Sequence, residues 1–155
     1  MKKQLEIAIV KANSATLEGC ELYWLLSRSQ LEFLFKEVEI FSSPPFVATA
    51  QYRETMLPVV SLEKYYGLEE KIVNGPHKYI VVRSVNEKNE MVKLIVQTVQ
   101  TLKIHKLETG FASLSSPILP KNSEDILGIY SLANGKLGIV PDFVGLSRSL
   151  HWRGN

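Results

Sequence analysis

The same short pattern occurs twice in this sequence, once in each half of the chain. Leu57–Gly67 (LPVVSLEKYYG) reads as a strand, a serine that can cap a helix, a short amphipathic helix and a glycine. Leu137–Gly145 (LGIVPDFVG) repeats that order, with Asp142 in the capping position. Serine and aspartate are favoured there because their side-chain oxygens accept a backbone N–H of the first helical turn. Two such corners, one in each half, predict two small β-barrels of related design.

Short apolar runs between turn signals dominate the rest of the chain, and this pattern is typical of strands. Three hairpins are predicted, and their strands are Glu21–Ser27 with Leu31–Phe35, Tyr79–Val82 with Met91–Val96, and Ile126–Leu132 with Lys136–Val140. The third hairpin crosses Asn134-Gly135, a favoured two-residue turn because both of its central residues need a positive φ. Leu5–Val10 also has strand character, so residues 1–19 are expected to add a strand.

Leu57–Val60 is a further predicted strand, and it contains Pro58. Proline has no N–H to donate to a neighbouring strand, so it is found at sheet edges, at strand starts or at bulges. The sequence therefore places this strand near a sheet edge, or places Pro58 near the start of the strand.

Composition limits the class of protein. A chain of 155 residues is long enough for one domain that buries roughly 68–70% of its unfolded surface. The net charge of +2 and the scattered lysines and arginines argue against a nucleic-acid surface, which needs a clustered basic face. Cys20 is the only cysteine, so an internal disulfide is excluded. The apolar run after Met1-Lys2-Lys3 is too short for a signal peptide, and the expected compartment is the cytoplasm.

The residue types that perform catalysis or bind metals form no recognisable motif. His77, His105 and His151 are far apart in the sequence, and no pair of them has the spacing of metal ligands. A glycine-rich phosphate loop and a nucleophile elbow are both missing from the sequence. Adjacent acids such as Glu69 and Glu70 lie in polar stretches where carboxylates are solvated. The sequence predicts no catalytic residue, no metal and no cofactor.

Several short motifs occur in an order that resembles one known family. Gln51–Glu54 (QYRE) and Leu57–Leu62 (LPVVSL) stand where CheW-like domains have N-L-R-G and P-[IV]-[VI]-D-L. Further segments match the family in the same order, and they are Phe35–Ile40, Pro44–Val47, Tyr79–Val82, Val92–Val99, Ile126–Leu132 and Gly135–Val140. The chain departs from the pattern at four positions, where glycine, aspartate, glycine and aspartate are replaced by Glu54, Ser61, Lys93 and Gln97.

This resemblance covers about Cys20 to Leu150 and implies both a fold and a function. The implied fold is mainly β, a single CheW-like domain over residues 1–155 in which two five-stranded SH3-like barrels pack together and interleave, with short helices at the barrel corners. The implied protein is a non-enzymatic adaptor in bacterial chemotaxis, a two-component signalling pathway. Its partners would be the tip of a chemoreceptor's helical hairpin, bound in a groove between the barrels, and the regulatory domain of a CheA-type histidine kinase, bound through a barrel end.

The resemblance also implies three protein-binding residues, because Glu39, Arg53 and Val99 match family positions implicated in these contacts. Each has a simpler explanation, as a solvated surface acid, an exposed charge at a strand end and a core residue respectively. Two other interpretations stay open for the whole chain. One is a diverged CheW-like module that serves another sensory kinase pathway, which the replaced glycines and aspartates would fit. The other is an unrelated SH3-like barrel that binds nucleic acid or a small ligand.

Overall fold

The computed structural model describes residues 5–17, 19–41, 48–68, 77–98, 102–107, 112–113, 120–132 and 135–154. The helices in these ranges are α1 (Leu62–Tyr65) and α2 (Phe143–Gly154). The strands are β1 (Leu5–Leu17), β2 (Cys20–Ser27), β3 (Leu31–Phe35), β4 (Ile40–Phe41), β5 (Thr49–Tyr52), β6 (Thr55–Val60), β7 (Lys78–Val85), β8 (Met91–Thr98), β9 (Leu102–Leu107), β10 (Ala112–Ser113), β11 (Ile126–Leu132) and β12 (Lys136–Pro141). None of the helices within these ranges has the length and apolar character needed to cross a membrane.

The strands form two six-stranded sheets. The first sheet has the order β10-β11-β12-β2-β1-β9, and the second has the order β3-β7-β8-β6-β5-β4. The predicted mainly β class is confirmed. Each sheet has one strand more than the five expected, because a two-residue strand, β10 in the first sheet and β4 in the second, lies at one of its ends. The N-terminal strands β1 and β2 join the C-terminal strands in the first sheet, while β3 to β8 build the second.

Two of the three predicted hairpins are confirmed. Strands β7 and β8 pair antiparallel along their whole length, and β11 pairs antiparallel with β12. In the turn between β11 and β12, Gly135 has a φ of 70°, whereas residues 133 and 134 lie outside the described ranges. Both confirmed pairs are close in sequence, so the turn residues between their strands suffice to predict them.

The first predicted hairpin is wrong, because β2 pairs with β1 and β12 whereas β3 pairs with β7. A 3-10 turn at Arg28–Gln30 separates the two strands. The Gln30 side chain closes this turn by accepting the Ser27 backbone N–H at 3.0 Å. The chain thereby leaves the first sheet at Ser27 and enters the second sheet at Leu31 instead of doubling back on β2.

Strand β6 lies inside the second sheet, between β8 and β5, and not at its edge. Pro58 is nevertheless tolerated. The next residue, Val59, donates its N–H to Ala48 beside β5 at 2.8 Å, so the Pro58 nitrogen faces the β8 side, since alternate residues point in opposite directions. Pairing with β8 begins only at Val59, and the proline therefore removes no ladder hydrogen bond.

The two corners have related structures. Each consists of a strand that pairs in parallel, β6 with β8 and β12 with β2, followed directly by a helix. Ser61 caps α1 by accepting the Lys64 backbone N–H, and Asp142 accepts the backbone N–H of Gly145 at 3.2 Å. The second helix is much longer than predicted, because Gly145 lies inside it and does not end it.

Two apolar cores lie on opposite faces of the second sheet. On β7, Ile80 and Val82 face the larger core, which also contains Trp24, Tyr66 and Phe143. The alternate residues of the same strand face the smaller core, whose members are Ala50, Tyr52, Leu57, Val59, Tyr79, Val81 and Ile95. Successive side chains of a strand point to opposite faces, so a strand buried on both faces is apolar throughout. This burial explains the uninterrupted run YIVV.

Candidate functional site

Arg53 lies in the two-residue turn between β5 and β6. Tyr52 pairs with Thr55, which leaves only Arg53 and Glu54 in the loop. Both loop residues are exposed. The backbone of Arg53 has a φ of 56°, in the left-handed region that few residues other than glycine adopt. In this chain the positive φ therefore falls on the arginine itself.

The Arg53 side chain lies over an aromatic ring. Its guanidinium carbon is 5.2 Å from the centroid of the Tyr52 ring, and the Lys93 Nζ is 6.0 Å from the same centroid. Tyr52 itself is buried, and its ring packs against Phe33 and Phe35 with centroid distances of 6.1 and 5.6 Å. An aromatic face attracts cations within about 6 Å, so one ring helps to position two positive charges.

A carboxylate lies behind these cations. Glu32 on β3 contacts the Lys93 Nζ at 3.0 Å and the Arg83 Nη1 at 3.6 Å. Burial acts to raise the pKa of Glu32, but Lys93, and then Tyr52 and Arg53, hold that pKa below its ordinary value. Burial, followed by the nearby Glu32 carboxylate, raises the pKa of Tyr52. Glu32 is therefore ionised at neutral pH and offsets part of the positive charge around it.

Tyr52, Arg53 and Lys93 border an open groove of about 850 Å³, which lies between the β5–β6 turn, β8 and α2. Its described lining consists of Tyr52, Arg53, Thr55, Met56, Leu57, Pro58, Asn86, Met91, Val92, Lys93, Val144, Ser147 and Arg148. Helix α2 follows the last strand of the first sheet, whereas the other walls belong to the second sheet. The groove is therefore formed jointly by the two halves of the fold.

The lining of the groove includes accessible apolar side chains. Met56 and Met91 are 48% and 53% exposed, and both belong to the lining together with Val144. Methionine side chains are flexible and polarisable, so they adapt to partners of different shape. Exposed apolar side chains next to fixed charges are typical of protein-binding surfaces.

Glu39 does not belong to the described lining of this groove. Glu39 is exposed in the connection between β3 and β4, next to the exposed pair Ile40 and Phe41. Its neighbour Val38 contributes to a separate cavity of about 680 Å³. Val99 lies outside the described residues. Of the three candidates, only Arg53 is a described residue of the groove lining.

Sequence reasoning missed the groove residues other than Arg53. In the sequence Lys93 stands out only as a departure from the family pattern, and nothing local connects it with Glu32, which is far away in the sequence. Met56 has one available signal, because it points to the face of the strand opposite to that of Leu57 and Val59. Arg148 has none, since the length of α2 was not predicted.

A protein-family model for the CheW-like domain matches residues 36–151. The chain belongs to the CheW-like domain family. No curated protein matches the sequence. Among solved structures, the crystal structure of the scaffolding protein TtCheW from Thermoanaerobacter tengcongensis is similar, with a TM-score of 0.60, 15% identity, and coverage of 90% of this chain and 89% of that chain. At this identity the similarity shows the CheW fold. Family membership also excludes the interpretation of an unrelated SH3-like barrel.

Proposed function

We propose that this protein is a non-enzymatic adaptor that couples chemoreceptors to a CheA-type histidine kinase in a chemosensory array. The observation that carries this proposal is the groove between the second sheet and α2, whose lining combines exposed methionines with Arg53. The CheW family consists of scaffold proteins without enzymatic activity, which agrees with a surface designed for contacts and not for chemistry.

The groove suits the helical hairpin at the tip of a chemoreceptor. An amphipathic helix binds by laying its apolar face into a hydrophobic groove, and Met56, Met91 and Val144 provide such a surface. The exposed Arg53 in the lining carries several donors in a planar arrangement, which fits a carboxylate or a group of carbonyls on the partner. Packing against Tyr52 limits the freedom of the guanidinium before binding, and so reduces the entropy lost on binding.

A second surface suits the kinase's regulatory domain. Strand β4 ends the second sheet, and its residues Ile40 and Phe41 are 36% and 48% exposed. Glu39 directly precedes this apolar pair in the sequence and is itself exposed. An edge strand with exposed apolar side chains can accept a strand or a sheet end of another domain. We assign Glu39 and this edge to the kinase contact, and Val99 to the receptor contact.

Two titrations test the proposal. The protein is titrated by calorimetry with the regulatory domain of the CheA-type kinase, and separately with the receptor-tip hairpin, both from the same organism. Saturable micromolar binding of each is expected. Arg53→Glu is expected to weaken hairpin binding, whereas Glu39→Lys is expected to weaken kinase binding. Lys64→Glu and Glu124→Lys are the matched controls, because both residues are exposed and neither lines the groove.

The outcomes separate the two contacts. If Arg53→Glu weakens only kinase binding, the groove is not the receptor site. If neither partner binds a folded sample, the chemotaxis role is wrong, and the interpretation of a diverged CheW-like module in another sensory pathway takes its place. Melting curves of each variant show whether a lost interaction reflects a lost fold.

A further inference from the structure

All charged residues in the described lining of the groove are basic. They are Arg53, Lys93 and Arg148. Arg148 forms an ion pair with Glu87 at the surface, where both side chains are more than half exposed. Such an exposed pair contributes little energy and opens readily when another carboxylate competes for the arginine. The groove therefore presents three positive charges to a partner, together with apolar side chains.

Lys93 is the most firmly placed of these charges. Its Nζ is 3.0 Å from Glu32, and its side chain is only 33% exposed. The same Nζ lies 6.0 Å from the Tyr52 centroid, over which Arg53 also lies. Glu32 is shared with Arg83, so a single carboxylate serves two cations and leaves an excess of positive charge at this end of the groove.

We propose that Lys93 sets the charge specificity of this groove, so that the groove accepts a helical segment whose apolar stripe is flanked by carboxylates. This inference rests on the proposed function and adds the chemistry of the partner. Arg53 and Lys93 share one aromatic ring, and two acids on one helix face, one or two turns apart, are separated by about 5–11 Å. One helix can therefore present a carboxylate to each cation while its apolar stripe covers Met56 and Met91.

A phosphate backbone fits the groove less well. Nucleic-acid sites combine a continuous basic track with stacking surfaces for bases. Here the exposed apolar side chains of Met56 and Met91 line the groove together with the cations, and the Tyr52 ring is buried and covered by Arg53. A surface that combines apolar side chains with a few charges matches an amphipathic helix.

The test uses a pair of receptor-tip hairpins from the same organism. One has the native sequence, and in the other the acids that flank the apolar stripe are changed to Gln or Asn. Fluorescence anisotropy measures the binding of each hairpin to the wild type, to Lys93→Gln and to the control Lys64→Gln. Glutamine keeps the length of the side chain and removes its charge, and Arg83 remains to pair with Glu32.

We expect the wild type to bind the neutralised hairpin about tenfold more weakly than the native one, a loss in the range measured for close charge pairs. Lys93→Gln should weaken binding of the native hairpin several-fold and leave binding of the neutralised hairpin almost unchanged. The reason is that Lys93→Gln and the neutralised acids remove the same interaction. Lys64→Gln should behave like the wild type with both. Raising the salt from about 50 to 500 mM should weaken binding of the native hairpin to the wild type but not that of the neutralised hairpin, since added salt screens charges.

Three results would overturn the inference. If the wild type binds both hairpins equally while Arg53→Glu still weakens their binding, the groove binds receptors but Lys93 does not discriminate between charged and neutralised hairpins. If an oligonucleotide of equal charge competes as well as the hairpin, the groove recognises negative charge alone and does not require an apolar stripe. If neither hairpin binds, the proposed function fails and this inference fails with it. If Lys93→Gln does not fold, the inference is tested by the salt dependence with which the two hairpins bind the wild type.

Discussion

Arg53 covers the ring of the residue before it, with its guanidinium carbon 5.2 Å from the centroid of Tyr52, although its own backbone has a φ of 56°. The left-handed conformation costs a residue with a Cβ roughly 1–2 kcal/mol. An exposed cation over an aromatic ring recovers about 0.5–1 kcal/mol. The turn would therefore be at least as stable with glycine at this position, so the arginine is better explained by what it binds than by what it stabilises.

The first prediction concerns Arg53→Gly. Glycine adopts a positive φ without steric cost, so the free energy of unfolding is expected to stay equal or to rise by up to about 1 kcal/mol. Binding of the receptor-tip hairpin should fall at least as far as it does with Arg53→Ala. Urea unfolding and calorimetric titration measure the two effects separately.

Asn89→Gly is the matched control for this prediction. Asn89 lies between β7 and β8 with a φ of 62°, and it does not line the groove. The same relief of backbone conformation should leave hairpin binding unchanged there. If Arg53→Gly loses several kcal/mol of stability, or if it binds the hairpin like the wild type, the docking role of Arg53 is wrong.

The sequence predicts those parts of the fold that depend on nearby residues. The β7–β8 and β11–β12 pairs follow from turn residues between two apolar runs, and the Ser61 cap follows from a side chain that acts within one turn. The β2–β12 pair could not be predicted in this way. Its partners, such as Leu22 and Leu137, pair in parallel although most of the chain lies between them in the sequence. The residues of an apolar strand do not specify which distant strand it pairs with.

The same limit applies to the candidate site. Arg53 was found because it belongs to a short motif around one turn. The pair of Glu32 and Lys93 was not found, because β3 and β8 meet only through the strand between them, β7. Gly145 was misread as the end of a helix. Its actual role depends on Asp125, a residue from another part of the chain whose position no local pattern predicts.

The second prediction concerns Tyr66, which fixes α1 to the larger core. Its ring is fully buried, lies 5.6 Å from the ring of Trp24, and donates its hydroxyl to the backbone oxygen of Asp125 at 2.8 Å. Tyr66→Ala is expected to lower the free energy of unfolding by about 3–5 kcal/mol, because it removes a large buried ring. Tyr66→Phe keeps the ring and should cost only about 1 kcal/mol for the lost hydrogen bond.

Tyr65 provides the comparison for this prediction, since its ring is only partly buried. Tyr65→Ala should therefore cost less than Tyr66→Ala. Urea unfolding followed by tryptophan fluorescence measures all three variants. Equal losses for Tyr65→Ala and Tyr66→Ala would show that the ring of Tyr66 is not the main anchor of α1.

The third prediction concerns Gly145, where α2 passes a buried acid. A Cβ added at this position would lie 2.3 Å from Asp125 Oδ1 and 2.9 Å from Asp142 Oδ2. Both carboxylates are held through their other oxygens, since Tyr65 donates its hydroxyl to Asp125 Oδ2 and Asp142 Oδ1 accepts the N–H of Gly145 itself. Gly145→Ala is therefore expected to destabilise the protein by about 1–3 kcal/mol through overpacking, although alanine is the better helix former.

A double-mutant cycle checks the cause of this effect. Asp125→Ala removes the oxygen nearest to the added methyl group. Gly145→Ala should then cost much less in the Asp125→Ala background than in the wild type, which is a favourable coupling between neighbours. Additive losses in the double variant would show that Asp125 is not what makes glycine necessary at this position.

The last prediction concerns stability at alkaline pH. Burial, and next the Asp125 carboxylate that accepts its hydroxyl, raise the pKa of Tyr65 to about 12, whereas a tyrosine in an unfolded chain titrates near pH ~10. The folded protein therefore holds this proton more tightly. The stabilisation from Tyr65 is complete below pH ~10 and is lost as the pH rises from ~10 through 12. Tyr65→Phe cannot ionise, so its free energy of unfolding should fall less steeply than that of the wild type across this window.

Urea unfolding at a series of pH values measures both slopes, and the difference between the slopes cancels the contributions of the other groups that titrate there. Parallel slopes would mean that the Tyr65 hydroxyl is not buried against Asp125 in solution.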